Sequence, residues 1–112
     1  MIREGKYKVT AVLWMDREII SIEPGLDKKI YGASVDVGTT TIAASLCDLS
    51  TGEILSHASG LNPQIKYGDD VLSRISYCGM NEKGLEEMND LIIQEINRLI
   101  QEMITSISVK EA

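Results

Sequence analysis

Apolar and polar positions along the chain follow two rhythms, a short alternating one up to about residue 60 and a helical one after it. Residues 7–14 (Tyr-Lys-Val-Thr-Ala-Val-Leu-Trp) are rich in β-formers and predict a strand. Met15 and Asp16 predict a turn, and residues 17–23 a returning strand that completes a hairpin. Pro24-Gly25 and the polar stretch Leu26-Asp27-Lys28-Lys29 then break the chain and suggest a boundary between two units. Residues 30–37 (Ile-Tyr-Gly-Ala-Ser-Val-Asp-Val) are apolar on both faces, as in a strand buried inside a sheet. Residues 41–49 predict the next strand. Ser50-Thr51-Gly52 is a turn signal, and Glu53–Ser59 a third strand, so that the three form a β-meander. Asn62-Pro63 ends it. Residues 69–77 suit a short helix with Asp69 as N-cap and Val71, Leu72 and Ile75 facing inward. After a break over Gly79–Gly84, Leu85, Met88, Ile92, Ile96, Leu99 and Met103 recur at spacings of three and four. They predict a helix of about 23 residues, roughly 35 Å long. Leu91, Ile93, Ile100, Ile104 and Ile107 widen its apolar stripe beyond the usual ~100° sector. Glu86, Glu87, Asp90, Glu95, Arg98 and Glu102 hold the wet side. A stripe this wide calls for more cover than the small sheet offers, from further chain or from a second copy.

Composition narrows the function classes. The chain has 112 residues, 44% hydrophobic and 25% charged, without Phe and with one Trp. It is therefore one small domain, or a piece of a larger one, whose core must be aliphatic. A net charge of −6 argues against non-specific binding to nucleic acid or anionic lipid, which requires a basic patch. No apolar run is long enough to cross a membrane, and Met1-Ile2-Arg3-Glu4-Gly5 is no signal peptide, so a cytoplasmic location is expected. Cys47 and Cys78 come without Cys-x-x-Cys spacing or a His/Cys cluster, so neither a zinc nor an iron–sulfur site is visible. They read as two reduced, mostly buried thiols, with a disulfide as the alternative. His57, alone on its strand, reads as structural. Asp70 and Arg74, spaced i, i+4, read as a surface pair on a helix. Glu86, Glu87 and Asp90 read as a solvated face near a helix start.

The stretch that carries chemistry is strand, then Asp36-Val37-Gly38-Thr39-Thr40-Thr41, then strand. A carboxylate at the end of a buried strand is costly unless compensated, and a hydrated Mg²⁺ would compensate Asp36. Gly38 lacks a Cβ, so the backbone can turn tightly and present N–H groups to an anion. Thr39, Thr40 and Thr41 add hydroxyl and amide donors. There is no Gly-x-x-x-x-Gly-Lys-Ser/Thr and no Gly-x-Gly-x-x-Gly. The plain alternative is a hairpin turn without a ligand, although three β-branched residues after Gly make a poor tight turn.

Asp-x-Gly-Thr-Thr-Thr leading from one strand into the next resembles the first phosphate motif of the actin, sugar-kinase and heat-shock-chaperone (ASKHA) ATPase superfamily. Ile22-Glu23-Pro24-Gly25 ahead of Tyr31-Gly32, and the long stretch Leu61-Asn62-Pro63-Gln64-Ile65-Lys66-Tyr67-Gly68-Asp69-Asp70-Val71-Leu72-Ser73-Arg74-Ile75, resemble one branch of it. That branch comprises the ferredoxin-like reductive activators of corrinoid proteins. The resemblance covers residues 7–107. It implies an α/β fold with a ribonuclease-H-like, actin-like partial domain over residues 30–112, preceded by a β-hairpin over 1–25 from the end of a middle domain. It implies ATP and Mg²⁺ as cofactors, with Asp36 near the metal and Gly38, Thr39, Thr40 and Thr41 near the β- and γ-phosphates. It also implies a corrinoid protein as partner, returned from Co(II) to Co(I) by an iron–sulfur cluster carried elsewhere in the parent protein. No stretch here matches the superfamily's second phosphate motif, its adenosine-binding glycines or the ferredoxin cysteines. The chain is therefore expected to be a fragment that hydrolyses no ATP by itself. Asn62–Arg74 reads either as a switch or docking segment beside the nucleotide or as a structural loop and helix cap. Two rival readings remain at this stage. One is a small-molecule kinase or other ATPase of the same superfamily. The other is a non-catalytic chain that assembles, as a homodimer through the long apolar helix or the sheet edges.

Overall fold

A computed structural model describes residues 9–24 and 29–111. The chain divides into two compact units, Met1–Ile30 and Tyr31–Ala112. The expected break over Gly25–Lys28 and the strand positions Tyr7 and Lys8 lie outside the described residues.

The first unit is an antiparallel hairpin of β1 (Val9–Trp14) and β2 (Glu18–Pro24), in register from Val9 opposite Pro24 to Trp14 opposite Glu18. A bulge between Val12 and Leu13 shifts the pairing by one residue. The turn predicted at Met15-Asp16 is present, and both residues are left-handed, with φ of 50° and 56°. That conformation closes a hairpin because it matches strand twist, although it is costly for a residue bearing a Cβ. Leu13, Ile19, Ile20 and Ile22 are exposed.

The second unit is a three-stranded antiparallel meander followed by helices. β3 (Tyr31–Val37), β4 (Thr41–Asp48) and β5 (Ile54–Leu61) lie in the order β3-β4-β5. Among the described residues β3 is thus an edge strand. The expectation of a strand buried inside a sheet is corrected here: Tyr31 and Val37 are about half exposed. The sequence pattern reports apolar residues on two faces, but it cannot report that only one face is covered. Between β4 and β5 the Asp48 carboxylate accepts hydrogen bonds from the Ser50 amide and hydroxyl, which fixes the tight turn.

A 3₁₀ turn (Pro63–Tyr67), α1 (Val71–Met80) and α2 (Gly84–Glu111) follow. At 28 residues α2 is longer than expected, about 42 Å. Its buried Met88, Leu99 and Met103 are the positions that the three/four spacing singled out. Leu99 and Met103 meet Ile42, Ala44 and Leu46 of β4 and Ala58 of β5, with Val35, Ile92, Ile100 and Ile107 around them. Each fully buried large aliphatic contributes roughly 1.5–3 kcal/mol. Leu85, the first position of that spacing, is exposed, because it stands at the start of the helix beyond the sheet. Of the residues that widen the stripe, Ile93 and Ile104 also stay exposed. Glu95 belongs less to the wet side than expected. Its side chain is 15% exposed and ion-paired to Arg98 at 2.6 Å, with both set against Gly60 of β5.

Helix α1 departs further from expectation. Its N-cap is Asp70 and not Asp69, since Asp70 Oδ1 accepts the Ser73 amide at 2.7 Å. Val71, Leu72 and Ile75, expected to face inward, are exposed, and the buried residue of this helix is Arg74. No described helix is long and apolar enough to cross a membrane.

Candidate functional site

The Asp36–Thr41 turn joins β3 to β4. Val37 pairs with Ile42 and Asp36 with Ala43, and Gly38 to Thr40 form the connection between β3 and β4. Gly38 has a local reason to be glycine: a Cβ there would lie 2.6 Å from the Thr41 carbonyl oxygen. The same oxygen accepts the Gly38 N–H at 3.0 Å. Of the amides assigned to phosphate, that of Gly38 is therefore already engaged.

The carbonyls of the turn are held one after another. Gly38 O accepts from Asn62 Nδ2 at 2.9 Å, Thr39 O from Arg74 Nη2 at 2.7 Å, and Thr40 O from the Asn62 backbone N–H at 2.8 Å. A trans peptide points its N–H opposite to its C=O. Holding these carbonyls toward Asn62 and Arg74 therefore turns the following amides, those of Thr39, Thr40 and Thr41, the other way. Among the described residues the Thr39 and Thr40 amides donate to no protein acceptor, and both residues are exposed. Asp36, like Thr39 and Thr40, is exposed. Strand alternation sends Val35 toward the α2-covered core and Asp36 to the opposite face, where it is exposed.

Behind the turn the supporting groups form a closed network. Asn62 is 1% exposed, and its Oδ1 accepts the Gln64 amide, capping the 3₁₀ turn. Arg74 is 8% exposed and donates through Nε to Gly68 O at 2.9 Å and through Nη1 toward Gln64 Oε1 at 3.5 Å. Gln64 in turn donates to Met88 O of α2. The surface pair expected between Asp70 and Arg74 does not form among the described residues, because the guanidinium is drawn inward by three oxygen acceptors that a planar fork can reach together. Asp70 is nonetheless held below its ordinary carboxylate value, first by the Ser73 amide.

A cavity of about 390 Å³ opens against the turn itself, lined by Gly38 and Thr39 together with Val37, Asn62, Gln64, Val71, Arg74, Ile75, Cys78, Leu85 and Met88. Its lining is largely apolar, and three of the five Arg74 N–H donors are engaged by Gly68 O, Gln64 Oε1 and Thr39 O.

Other residues find partners that the sequence did not disclose. His57 is not alone: its Nδ1 lies 2.9 Å from Ser45 Oγ, directly across the β4–β5 ladder. Glu87 leaves the expected solvated face and accepts the Tyr77 hydroxyl at 2.6 Å, which pushes the phenol up to about 12. Tyr77 stacks on Tyr67 with ring centroids 4.3 Å apart. Cys47 and Cys78 are free thiols, half-buried. Among the described residues no group of three or more His, Cys, Asp or Glu is placed to hold a metal.

Residues 31–112 match the profile of a family described as RACo middle region. The match begins where the second unit begins, so this unit, and not the hairpin before it, carries the description. The chain is similar to the corrinoid activation enzyme RamQ of Eubacterium limosum, with 32% identity over 105 residues, 92% of this chain and 18% of that protein. It is also similar to the solved structure of a reductive activator for corrinoid, iron–sulfur protein, with a TM-score of 0.80 and 30% identity over 94% of this chain and 17% of that one. The chain thus spans less than a fifth of the length of these relatives.

Proposed function

The chain belongs to the RACo middle region family, and from that premise we propose that it serves corrinoid activation by supplying the first phosphate-binding turn of an ATP-dependent reductive activator. In this reading the meander and helices of the second unit are the opening portion of an actin-like, ribonuclease-H-like nucleotide domain. The amides of Thr39, Thr40 and Thr41, with the threonine hydroxyls, would hold phosphate oxygens, and Asp36 would hold Mg²⁺ through water. Bound Mg·ATP would supply the free energy of phosphoryl transfer to water, which drives an uphill one-electron reduction in the intact activator. This chain's own part is to orient phosphate by preset donors. The electron carrier and the remaining nucleotide contacts belong to parts of the activator outside the matched stretch.

One observation carries the reading. Successive carbonyls of the turn are occupied by Asn62 and Arg74, while the Thr39 and Thr40 amides have no protein acceptor among the described residues, and Asp36, three positions before Thr39, is exposed. Pairing the carbonyls would steady any turn; what favours a ligand is that the Thr39 and Thr40 amides are left without a protein acceptor among the described residues. The test is an amide-resolved NMR titration of the chain with Mg·ADP. Expected are Mg²⁺-dependent shifts centred on residues 36–41, with the Mg²⁺ dependence lost in Asp36→Ala. Shifts confined to the cavity around Cys78 and Leu85, or none at millimolar nucleotide, would overturn the assignment.

A further inference from the structure

We propose that Arg74 and Asn62 are positioning residues for the phosphate turn, a role that rests on the nucleotide reading above and names the groups that keep its donors aimed. Both are among the most deeply buried polar side chains of the second unit, at 8% and 1% exposure. Their donors converge on the carbonyls of consecutive residues, Gly38 and Thr39, from segments 24 and 35 positions away in sequence.

The chemistry explains why these residue types stand there. A run of amides aimed at one anion requires the alternate ends of the same peptides to be aimed together as well. In a strand the carbonyls alternate in direction, so a turn that breaks the alternation needs outside donors to hold it. Asn62 acts twice, with its backbone N–H on Thr40 O and its side chain on Gly38 O. Arg74 bridges Thr39 O to Gly68 O with a rigid fork, so the turn is fixed against the start of α1. A guanidinium beside a phosphate site would ordinarily be assigned to the phosphate itself. Here its two shorter hydrogen bonds go to backbone carbonyls, those of Thr39 and Gly68. There it polarises the peptides whose N–H groups face outward, strengthening them as donors.

Two variants test the positioning role. Arg74→Lys separates it from bulk charge, whereas Asn62→Asp also adds a negative charge near the turn and is read only through the local change in amide exchange. Arg74→Lys keeps the positive charge but loses the fork that spans Thr39 O and Gly68 O. Asn62→Asp keeps the oxygen that caps Gln64 but sets a carboxylate oxygen where Nδ2 met Gly38 O. If Arg74→Lys leaves the donors aligned about one-tenth of the time, Mg·ADP affinity falls about tenfold. Hydrogen exchange at Thr39 and Thr40 in the nucleotide-free chain should change selectively, with helical circular dichroism and the α2 amides unaltered. The same titration is run on parent and Arg74→Lys, with Mg·ADP as the probe. A parent that does not respond sinks the nucleotide reading and this inference with it. With a responding parent, equal binding by Arg74→Lys or unchanged exchange in Asn62→Asp overturns the positioning role alone. Lost affinity in Arg74→Lys, together with the local change in exchange, supports positioning, because the charge is retained and a charge effect would leave binding intact.

Discussion

Replacing Gly38 by Ala tests the geometry of the turn without any ligand. The new Cβ would stand 2.6 Å from Thr41 O, whereas a carbon–oxygen contact settles at about 3.3 Å or more. The two strand ends must therefore separate by about 0.7 Å relative to that spacing. The Gly38 N–H to Thr41 O hydrogen bond, now 3.0 Å, is stretched out of range and forfeits about 1 kcal/mol. Forcing the backbone apart adds about 1–3 kcal/mol, and the stiffer unfolded chain returns about 0.4–1 kcal/mol. The balance is a loss of about 2 kcal/mol, which in a unit of this size lowers Tm by roughly 8–16 °C. Thermal unfolding followed by far-ultraviolet circular dichroism reads this directly. The control is Gly79→Ala in α1, where an added Cβ meets nothing within 4 Å. A helical Gly replaced by Ala should gain roughly 0.5–1 kcal/mol. Should Gly38→Ala cost less than about 4 °C, corresponding to under 1 kcal/mol, the close approach of Gly38 to Thr41 is not the constraint claimed for it.

Leu99→Ala removes a side chain of 0% exposure from the contact of α2 with β4 and β5. It should cost about 2–5 kcal/mol in urea unfolding, and a loss below 1 kcal/mol would mean that α2 is not seated on the sheet through this residue. Tyr77 donates its hydroxyl to Glu87, which raises the phenol from 10.0 to about 12. The neutral phenol is the favoured form, so this contribution to stability is complete below the ordinary value and is lost as pH rises through the raised one. Glu87→Gln should bring the Tyr77 titration back toward its ordinary value in tyrosinate absorbance, and superimposable curves for parent and variant would rule out the contact.

Elements were legible in this sequence where one periodicity dominated. The meander followed from turn residues at fixed places, Gly38 and Ser50-Thr51-Gly52, and the long helix from Met88, Leu99 and Met103 at spacings that fall on one face. What failed was the reading of faces in short elements. In α1 the pattern of Val71, Leu72 and Ile75 suggested an inward apolar face, yet Arg74 is the residue turned in. Hydrophobicity ranks side chains by transfer from water, and a guanidinium that meets three oxygen acceptors is not in that regime. β3 was placed inside a sheet because both of its faces are apolar, while the described sheet leaves it at an edge with Val37 half exposed. Sequence reports what a strand could bury; only tertiary neighbours decide what it does bury.

The site was half legible for a related reason. Asp36, Gly38 and the three threonines are adjacent in sequence, so their joint chemistry can be read from one short stretch. Their support cannot, since Asn62 and Arg74 lie far along the chain and act on backbone oxygens that no side-chain pattern advertises. The signal that could have found them was the concentration of unusual polar residues in Asn62-Pro63-Gln64 and Gly68-to-Arg74, a stretch with too few apolar positions to be explained by packing. A loop that buries Asn and Arg must be satisfying oxygens somewhere, because burying them unpaired would cost several kcal/mol. The nearest large supply of unpaired oxygens is a tight turn whose carbonyls have left their ladder. In the proposed function, the threonine turn and the polar stretch are two halves of one device: the turn would present donors, and the stretch would keep them facing the same way.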